Sequence, residues 1–360
     1  MCNLYIGIMS GTSLDGIDIT LCEINKDSCN LIHSAEYPFK KELKDEILNT
    51  INSTTTLQKL GSLDLKLGLL FADVVNTFVT MHKLNAKDIT AIGLHGQTLW
   101  HEPDSKFPFS MQLGSSNVVV AQTGIKVVSD FRNMDIANGG EGAPFAPAFH
   151  KEIFKNLNKK TAVVNIGGMA NITLLDTPLK GWDTGCGNVL LDYWMMQNQQ
   201  KAYDEDGAFA RSGTLNVALL ESMLSDAYFA KESPKSTGRE YFNPTWLANH
   251  LPLFETLRSE DVQRTLLELT AQSIAKDVKK ANRELLILCG GGAKNSFLVQ
   301  RLGELTAIEV QRSDELGVNS DALEAMAFAW FAYKRINHET VNLKSVTGAK
   351  KNSILGAIYG

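Results

Sequence analysis

The residues most suited to chemistry fall into two groups. The first is Met9-Ser10-Gly11-Thr12-Ser13-Leu14-Asp15-Gly16, set between an incoming apolar alternation (Leu4, Ile6, Ile8) and an outgoing one (Ile17, Ile19, Leu21). Gly11 and Gly16 permit positive φ and close backbone approach. Ser10, Thr12 and Ser13 bring hydroxyls, and successive N–H groups in such a loop form an anion-binding nest. Asp15 and Asp18 are carboxylates suited to Mg²⁺ or its bound waters, Asp15 being the metal candidate through water. Donors, room and a metal partner are what a phosphate-gripping loop needs; a polar hairpin turn without ligand is the competing reading. The second group centres on Asp183 in Gly181-Trp182-Asp183-Thr184-Gly185-Cys186-Gly187-Asn188. It is expected at a strand end, beside a loop open enough to admit a ligand.

Further candidates surround these. Ile89–His95 reads as a buried strand ending in the loop Gly96-Gln97-Thr98, which makes His95 either a ligand contact at a strand end or a satisfied core histidine. Arg132 stands in a run from Asp130 to Pro144 that is rich in glycine; it is read as a carboxylate-binding guanidinium or as a brace to Asp130 or Asp135. Gly167, Gly168 and Asn171 form a second strand–glycine–strand pattern between Thr161–Ile166 and Ile172–Leu175. Lys235 and Arg239, in Ser233–Phe242, face a ligand or belong to a solvated positive loop. Gly290-Gly291-Gly292, after the strand Leu285–Cys289, suits an adenosine lying against bare backbone, or is a strand-to-helix turn. Asp321 and Glu324 sit where a helix dipole favours carboxylates.

The elements that must position these groups follow from periodicity. Helical spacing predicts helices over Lys40–Ser53, about Leu57–Leu84, Val189–Gln199, Leu215–Ser225, Val262–Ala281 and Ser320–Ile336. Two hairpins in one chain suggest two copies of one α/β fold facing a central cleft. The glycine-rich run is the expected junction, giving a first lobe over 1–130 and a second over 131–360, with the tail 341–360 left to pack on either.

Composition sets bounds. A chain of 360 residues with 44% hydrophobic and 21% charged residues has the make-up of a globular protein of two domains. Net charge −5 argues against a nucleic-acid binder, so a phosphate must be held by local groups. Five cysteines, an odd number without a C-x-x-C pair, fit a reducing compartment. With no apolar stretch near the ~20 residues that span a bilayer, and no signal-like core, the expected location is the cytoplasm, away from membranes. No G-x-x-x-x-G-K-[ST] P-loop occurs.

IGIMSGTSLDGIDI resembles the N-terminal signature of the anhydro-N-acetylmuramic acid kinases, in the actin/hexokinase/sugar-kinase superfamily. The resemblance extends through HGQT at His95–Thr98, DFRxxDxAxGGxGAP from Asp130, SPKSTGREYF from Ser233 and the tail VTGAKKNSILGAIYG. One departure is Cys186, where the family's DTGPGN carries proline; it loses rigidity but no catalytic group, and an oxidation-sensitive thiol is expected there. The resemblance implies two ribonuclease H-like lobes, mixed sheets with flanking helices, that use ATP and Mg²⁺. It implies phosphorylation of 1,6-anhydro-N-acetylmuramic acid with hydrolytic opening of the anhydro ring, in peptidoglycan recycling. ATP phosphates would meet Gly11, Thr12, Ser13, Leu14, Asp15, Gly16, Ile17, Asp18, Gly167, Gly168 and Asn171, and the adenosine Gly290–Gly292. The sugar would meet His95, Gln97, Thr98, Arg132, Asp183 and Glu324, with Asp183 as base and Glu324 orienting water or sugar. The partners implied are the amino sugar and ATP; a homodimer is one assembly consistent with this. Two other readings are a kinase of the same superfamily acting on a free hydroxyl, of sugar or acetate type, and an ATP-dependent switch or chaperone. The latter is disfavoured by the short chain after the last helix.

Overall fold

The computed structural model describes residues 3–11, 14, 16–252 and 256–360. Two compact units divide the chain: Met1–Ile153 with Ala322–Gly360, and Phe154–Asp321. The division therefore falls after residue 153 rather than at 130, and the tail joins the first unit. The glycine-rich run is no boundary because its backbone is pinned within the first unit. The Asp135 carboxylate accepts the Gly142 N–H (2.9 Å) and the Thr347 hydroxyl (2.9 Å).

In the first unit, β1 (Leu4–Ser10), β2 (Gly16–Ile24) and β3 (Cys29–Pro38) form an antiparallel meander. β4 (Ile89–Glu102) adds parallel to β1, β5 (Phe109–Leu113) pairs with the far end of β4, and β6 (Val127–Ser129) continues the sheet. In the second unit, β7 (Thr161–Ile166), β8 (Met169–Leu174) and β9 (Lys180–Cys186) repeat the meander, and β10 (Leu285–Cys289) and β11 (Glu309–Arg312) add in parallel. A last strand, β12 (Ala357–Tyr359), closes the first sheet against β6. The strand orders β3-β2-β1-β4-β6 and β9-β8-β7-β10-β11 are the same topology twice. The duplication expected from two hairpins is thus present in the connectivity, and both units have the ribonuclease H-like, mixed-sheet pattern.

Each unit has its own core. Ile6, Ile8, Ile17 and Ile19 pack with Phe71 and Phe78 of the helix Leu57–Met81. Val164, Ile172 and Leu286 pack with Leu266 and Ile274 of the helix Ser259–Lys280. On the first sheet, Gly7 and Gly93 are register partners on adjacent strands. A Cβ on Gly7 would collide with the Ala325 carbonyl, and one on Gly93 with the Phe328 carbonyl. The absence of side chains lets the helix Leu323–Ile336 lie at backbone contact with the sheet.

Candidate active site

The first hairpin forms as expected, with Ile8 opposite Ile19 and Ser10 opposite Ile17. Thr12, Ser13 and Asp15 lie outside the described residues. Leu14 takes φ 57° with its side chain fully buried, and its N–H donates to the Gly11 carbonyl (3.2 Å). Only its backbone, like that of Ile17, which is also buried, is left for a ligand. Asp18 is half-buried on β2 opposite Met9.

The loop expected at Gly96-Gln97-Thr98 is strand. Gly96, at φ 78°, sits at the irregularity in the β1–β4 register just before Ser10 pairs with Gln97, and beyond it β4 also pairs antiparallel with β5, Gln97 opposite Leu113 and Thr98 opposite Gln112. Gln97 is fully buried; its side-chain carbonyl accepts a short bond from the Ser10 hydroxyl, and its amide donates to the Gly11 carbonyl (3.3 Å). Gln97 thus ties the hairpin's entry to β4. Thr98 accepts from the Gln112 amide (3.2 Å).

Arg132 is on a helix, Phe131–Ala137, started by Asp130 at φ 57°, and not on a loop. Its Nε and Nη2 reach His95 Nε2 at 3.2 and 2.9 Å, its Nη1 donates to the Gly142 carbonyl (2.7 Å), and its guanidinium lies 5.3 Å from the Phe145 ring centre. Neither expected brace exists: Asp130 accepts from Asn133 (2.7 Å), and Asp135 holds Gly142 and Thr347. Burial and the neighbouring Arg132 charge hold His95 down to about 3, so it is neutral and accepts through Nε2. That nitrogen is spent on Arg132, which turns the ligand candidate into a support. Burial lowers Arg132 to about 10 against the opposing pull of Glu324, which is exposed in the first turn of Leu323–Ile336. A cavity of about 570 Å³ opens beside His95, walled by Ser110, Gln112, Ser115, Ser129 and Asn133. Its wall carries two carboxylates, Asp64 and Asp130, and no lysine or arginine, so it suits a polar ligand without negative charge better than a phosphate.

In the second unit Asp183 lies within β9, opposite Asn171 and beside a bulge, rather than at its end. Its main chain is fixed on both sides: its N–H donates to the Lys235 carbonyl (2.9 Å), and its carbonyl accepts from the Tyr228 hydroxyl (2.8 Å). Both donors to its carboxylate fall on Oδ2, the Thr237 N–H at 3.0 Å and the Ser236 hydroxyl at 3.3 Å. Burial holds the carboxyl above its ordinary range, although these two bonds pull it down; the Glu240 charge adds to the rise. A half-buried carboxylate with one engaged oxygen and a raised affinity for protons is fitted to act as a base near neutral pH.

The second hairpin turn, Gly167-Gly168, is a docking point for the corner after β9. Gly168 O accepts from Gly187 N (2.8 Å) and Val189 N (3.1 Å), and Gly167 O from Asn188 N (2.8 Å). A Cβ on Gly187 would collide with the Gly167 carbonyl, which explains that glycine. In the triple glycine, Gly290 and Gly292 serve packing: a Cβ would strike Asn165 and Ile166 respectively. Gly291 and Gly292 line a cavity of about 550 Å³ with Asn188, Leu191, Tyr203 and Lys294, ample for a nucleoside. Asn188 and Tyr203 had no signal in the sequence beyond a polar loop composition. Lys294 is ion-paired with Asp321 (2.6 Å), so the expected capping acid is a surface partner instead. Cys186 is fully buried and its thiol is pushed up to about 12 by burial, which removes the expected oxidation sensitivity.

Among the described residues no group of three or more His, Cys, Asp or Glu converges on a common metal position. That is compatible with Mg²⁺, which is ordinarily held by one or two carboxylates and the phosphates themselves. No helix of the described residues is long and apolar enough to cross a membrane.

A solved structure, component A of the (R)-2-hydroxyglutaryl-CoA dehydratase of Acidaminococcus fermentans, shares the fold with TM-score 0.50 at 12% identity, over 93% of this chain and 99% of that one. Anhydro-N-acetylmuramic acid kinase of Sulfurovum sp. (strain NBC37-1) is 56% identical over 99% of this chain and 98% of its own. The enzyme of the same name from Sulfurimonas denitrificans is 54% identical over the whole of both chains. The profile of the family described as anhydro-N-acetylmuramic acid kinase matches residues 3–360. The chain belongs to the anhydro-N-acetylmuramic acid kinase family.

Proposed function

We propose that this protein converts 1,6-anhydro-N-acetylmuramic acid, ATP and water to N-acetylmuramic acid 6-phosphate and ADP, and that Asp183 is its general base. The observation that carries the reading is the Asp183 carboxyl: half-buried, raised, and held through Oδ2 alone. O6 of the sugar has no proton, being tied to C1, so a simple kinase base has nothing to remove. Asp183 instead takes a proton from water; the water oxygen bonds to C1, the C1–O6 bond breaks, and O6 bonds to the γ-phosphorus as the bond to ADP breaks. The geometry follows inverting glycoside hydrolysis, with the phosphoryl group capturing the leaving oxygen in place of a general acid.

Arg132, its donors oriented by His95 and Gly142, would bind the lactyl carboxylate, and Glu324 would orient sugar or water. Gly11–Asp18 and Gly167–Asn171 would hold phosphates, and the cavity at Gly291 the adenosine. Mg²⁺, when bound, would neutralise phosphate charge, with Asp18 and, on the sequence alone, Asp15 as the carboxylates that the first hairpin offers to its bound waters. These roles would serve cell-wall recycling in the cytoplasm. Asp183→Asn should leave ATP affinity unchanged and lower turnover about a thousandfold, read by coupled ADP release. Turnover of the variant at the wild-type rate removes Asp183 from the role. In [¹⁸O]water the label should appear at C1; unlabelled product would indicate attack by a free hydroxyl.

A further inference from the structure

We propose that Arg239 binds the transferring phosphoryl group at the second hairpin, on a segment whose neighbouring residues hold Asp183. The inference rests on the kinase reading and deepens it. The guanidinium lies along the turn: Nε and Nη2 are both 3.5 Å from where a Cβ on Gly168 would stand. Glycine at 168 leaves open the space between the turn and the guanidinium.

Among the described residues Arg239 has no hydrogen-bond or ion-pair partner. Of the other arginines of the same unit, Arg211 is tied to Gln300, Arg258 to Asp261, Arg264 and Arg301 to Glu268 and Arg283 to Asp176, while among the described residues Arg312, away from the turn at the end of β11, bonds only through its backbone N–H. Nor does the turn need Arg239 as a donor. The carbonyls of Gly167 and Gly168 already accept from residues 187–189, and Gly167 N–H donates to Met169 O (3.1 Å). Among the described residues Gly168 N–H has no backbone acceptor. What the turn leaves unspent is a backbone N–H and a guanidinium, which is an anion site built of donors only. In a chain of net charge −5, such a site requires a local cation.

The sequence position adds the link to catalysis. Ser236 and Thr237 hold the Asp183 carboxylate, and Arg239 follows two residues later. One short segment therefore sets both the base and the phosphate contact. Arg239 would donate to the non-bridging oxygens of the γ-phosphoryl group, whose charge spreads over them during transfer, and would form no covalent bond.

The test uses the full-length enzyme as wild type, Arg239→Ala and Arg239→Lys. Affinities for ADP and for a β,γ-imido ATP analogue are measured by calorimetry, and turnover by sugar-dependent ADP release; melting curves report folding. Arg239→Ala should bind the analogue at least tenfold more weakly with ADP affinity within twofold, and its kcat should fall about a hundredfold. Arg239→Lys should restore less than half of the lost activity, because an ammonium cannot make the two-pronged contact. Unchanged analogue affinity, or an equal loss for ADP, overturns the assignment and leaves a solvated arginine. If the wild type turned over no anhydro sugar, the substrate reading would fail, while the analogue-to-ADP ratio would still decide the role of Arg239.

Discussion

The two units share one topology and differ in how their sheets meet what covers them. At the centre of the first, Gly7 stands beside Gly93, and the helix Leu323–Ile336 touches the strands at backbone distance. At the centre of the second, Val163 stands beside Ile287 and Val164 beside Leu288, so side chains separate the strands from what covers them. The polar centres differ in the same sense. The first half-buries a cation, Arg132, against a neutral imidazole and a carbonyl; the second half-buries an anion, Asp183, against an N–H and a hydroxyl. A duplicated scaffold has thus been specialised for opposite charges. The close-packed sheet carries, on its helix, the Glu324 whose charge Arg132 feels.

The sharpest way to break this contrast is to fill the glycine groove. Gly93→Val puts a branched side chain into the Phe328 carbonyl, with no flexible neighbour to yield, and should destabilise the protein by more than about 4 kcal/mol. Thermal melting checks this; a wild-type melting temperature would mean that the helix does not lie at backbone contact.

Acid separates the two units next. His95 and His150, both buried in the first, have folded values near 3 and 4, burial being the main cause. The unfolded chain, near 6.5, binds protons that the folded state refuses. Their contribution is therefore fully present above pH 6.5 and lost as pH falls towards 3–4, by roughly 2 kcal/mol per histidine at pH 5. In the second unit, Glu268 is raised by burial but brought to about 2 by Arg301, Gln272 and Arg264, so its contribution is lost only from about pH 4.5 down to 2. Hydrogen exchange at pH 5 should show opening of the first unit before the second; the reverse order would contradict these environments.

The smallest expected effect is an absence of reaction. Cys22, Cys29, Cys186 and Cys289 are buried in their two cores. Under native conditions an alkylating reagent should leave all four unmodified by mass spectrometry, Cys186 included.

Much of the scaffold was readable from periodicity. Thr161–Ile166, Val189–Gln199 and Leu285–Cys289 have the bounds that their apolar patterns predict. β3 and β5 pair with the strands just before them, yet their sequences alternate too weakly to mark them as strands, and β12 is short with its partner β6 far back in the chain. The site was legible in its residue types and less so in its contacts. Asp183, Arg132 and the glycines stood out, but nothing in the spacing ties His95 to Arg132 across 37 residues, or Asp183 to Thr237 across 54. The use of Gly290 and Gly292 for packing shows that a glycine run marks close approach without saying to what.

The first unit is assembled from both ends of the chain, with Phe154–Asp321 made in between. A ribosome therefore releases the whole intervening unit before the helix that seals Gly7 and Gly93 exists. Until then the earliest strands wait with an uncovered face, so a nascent or C-terminally clipped chain is most exposed where it was begun.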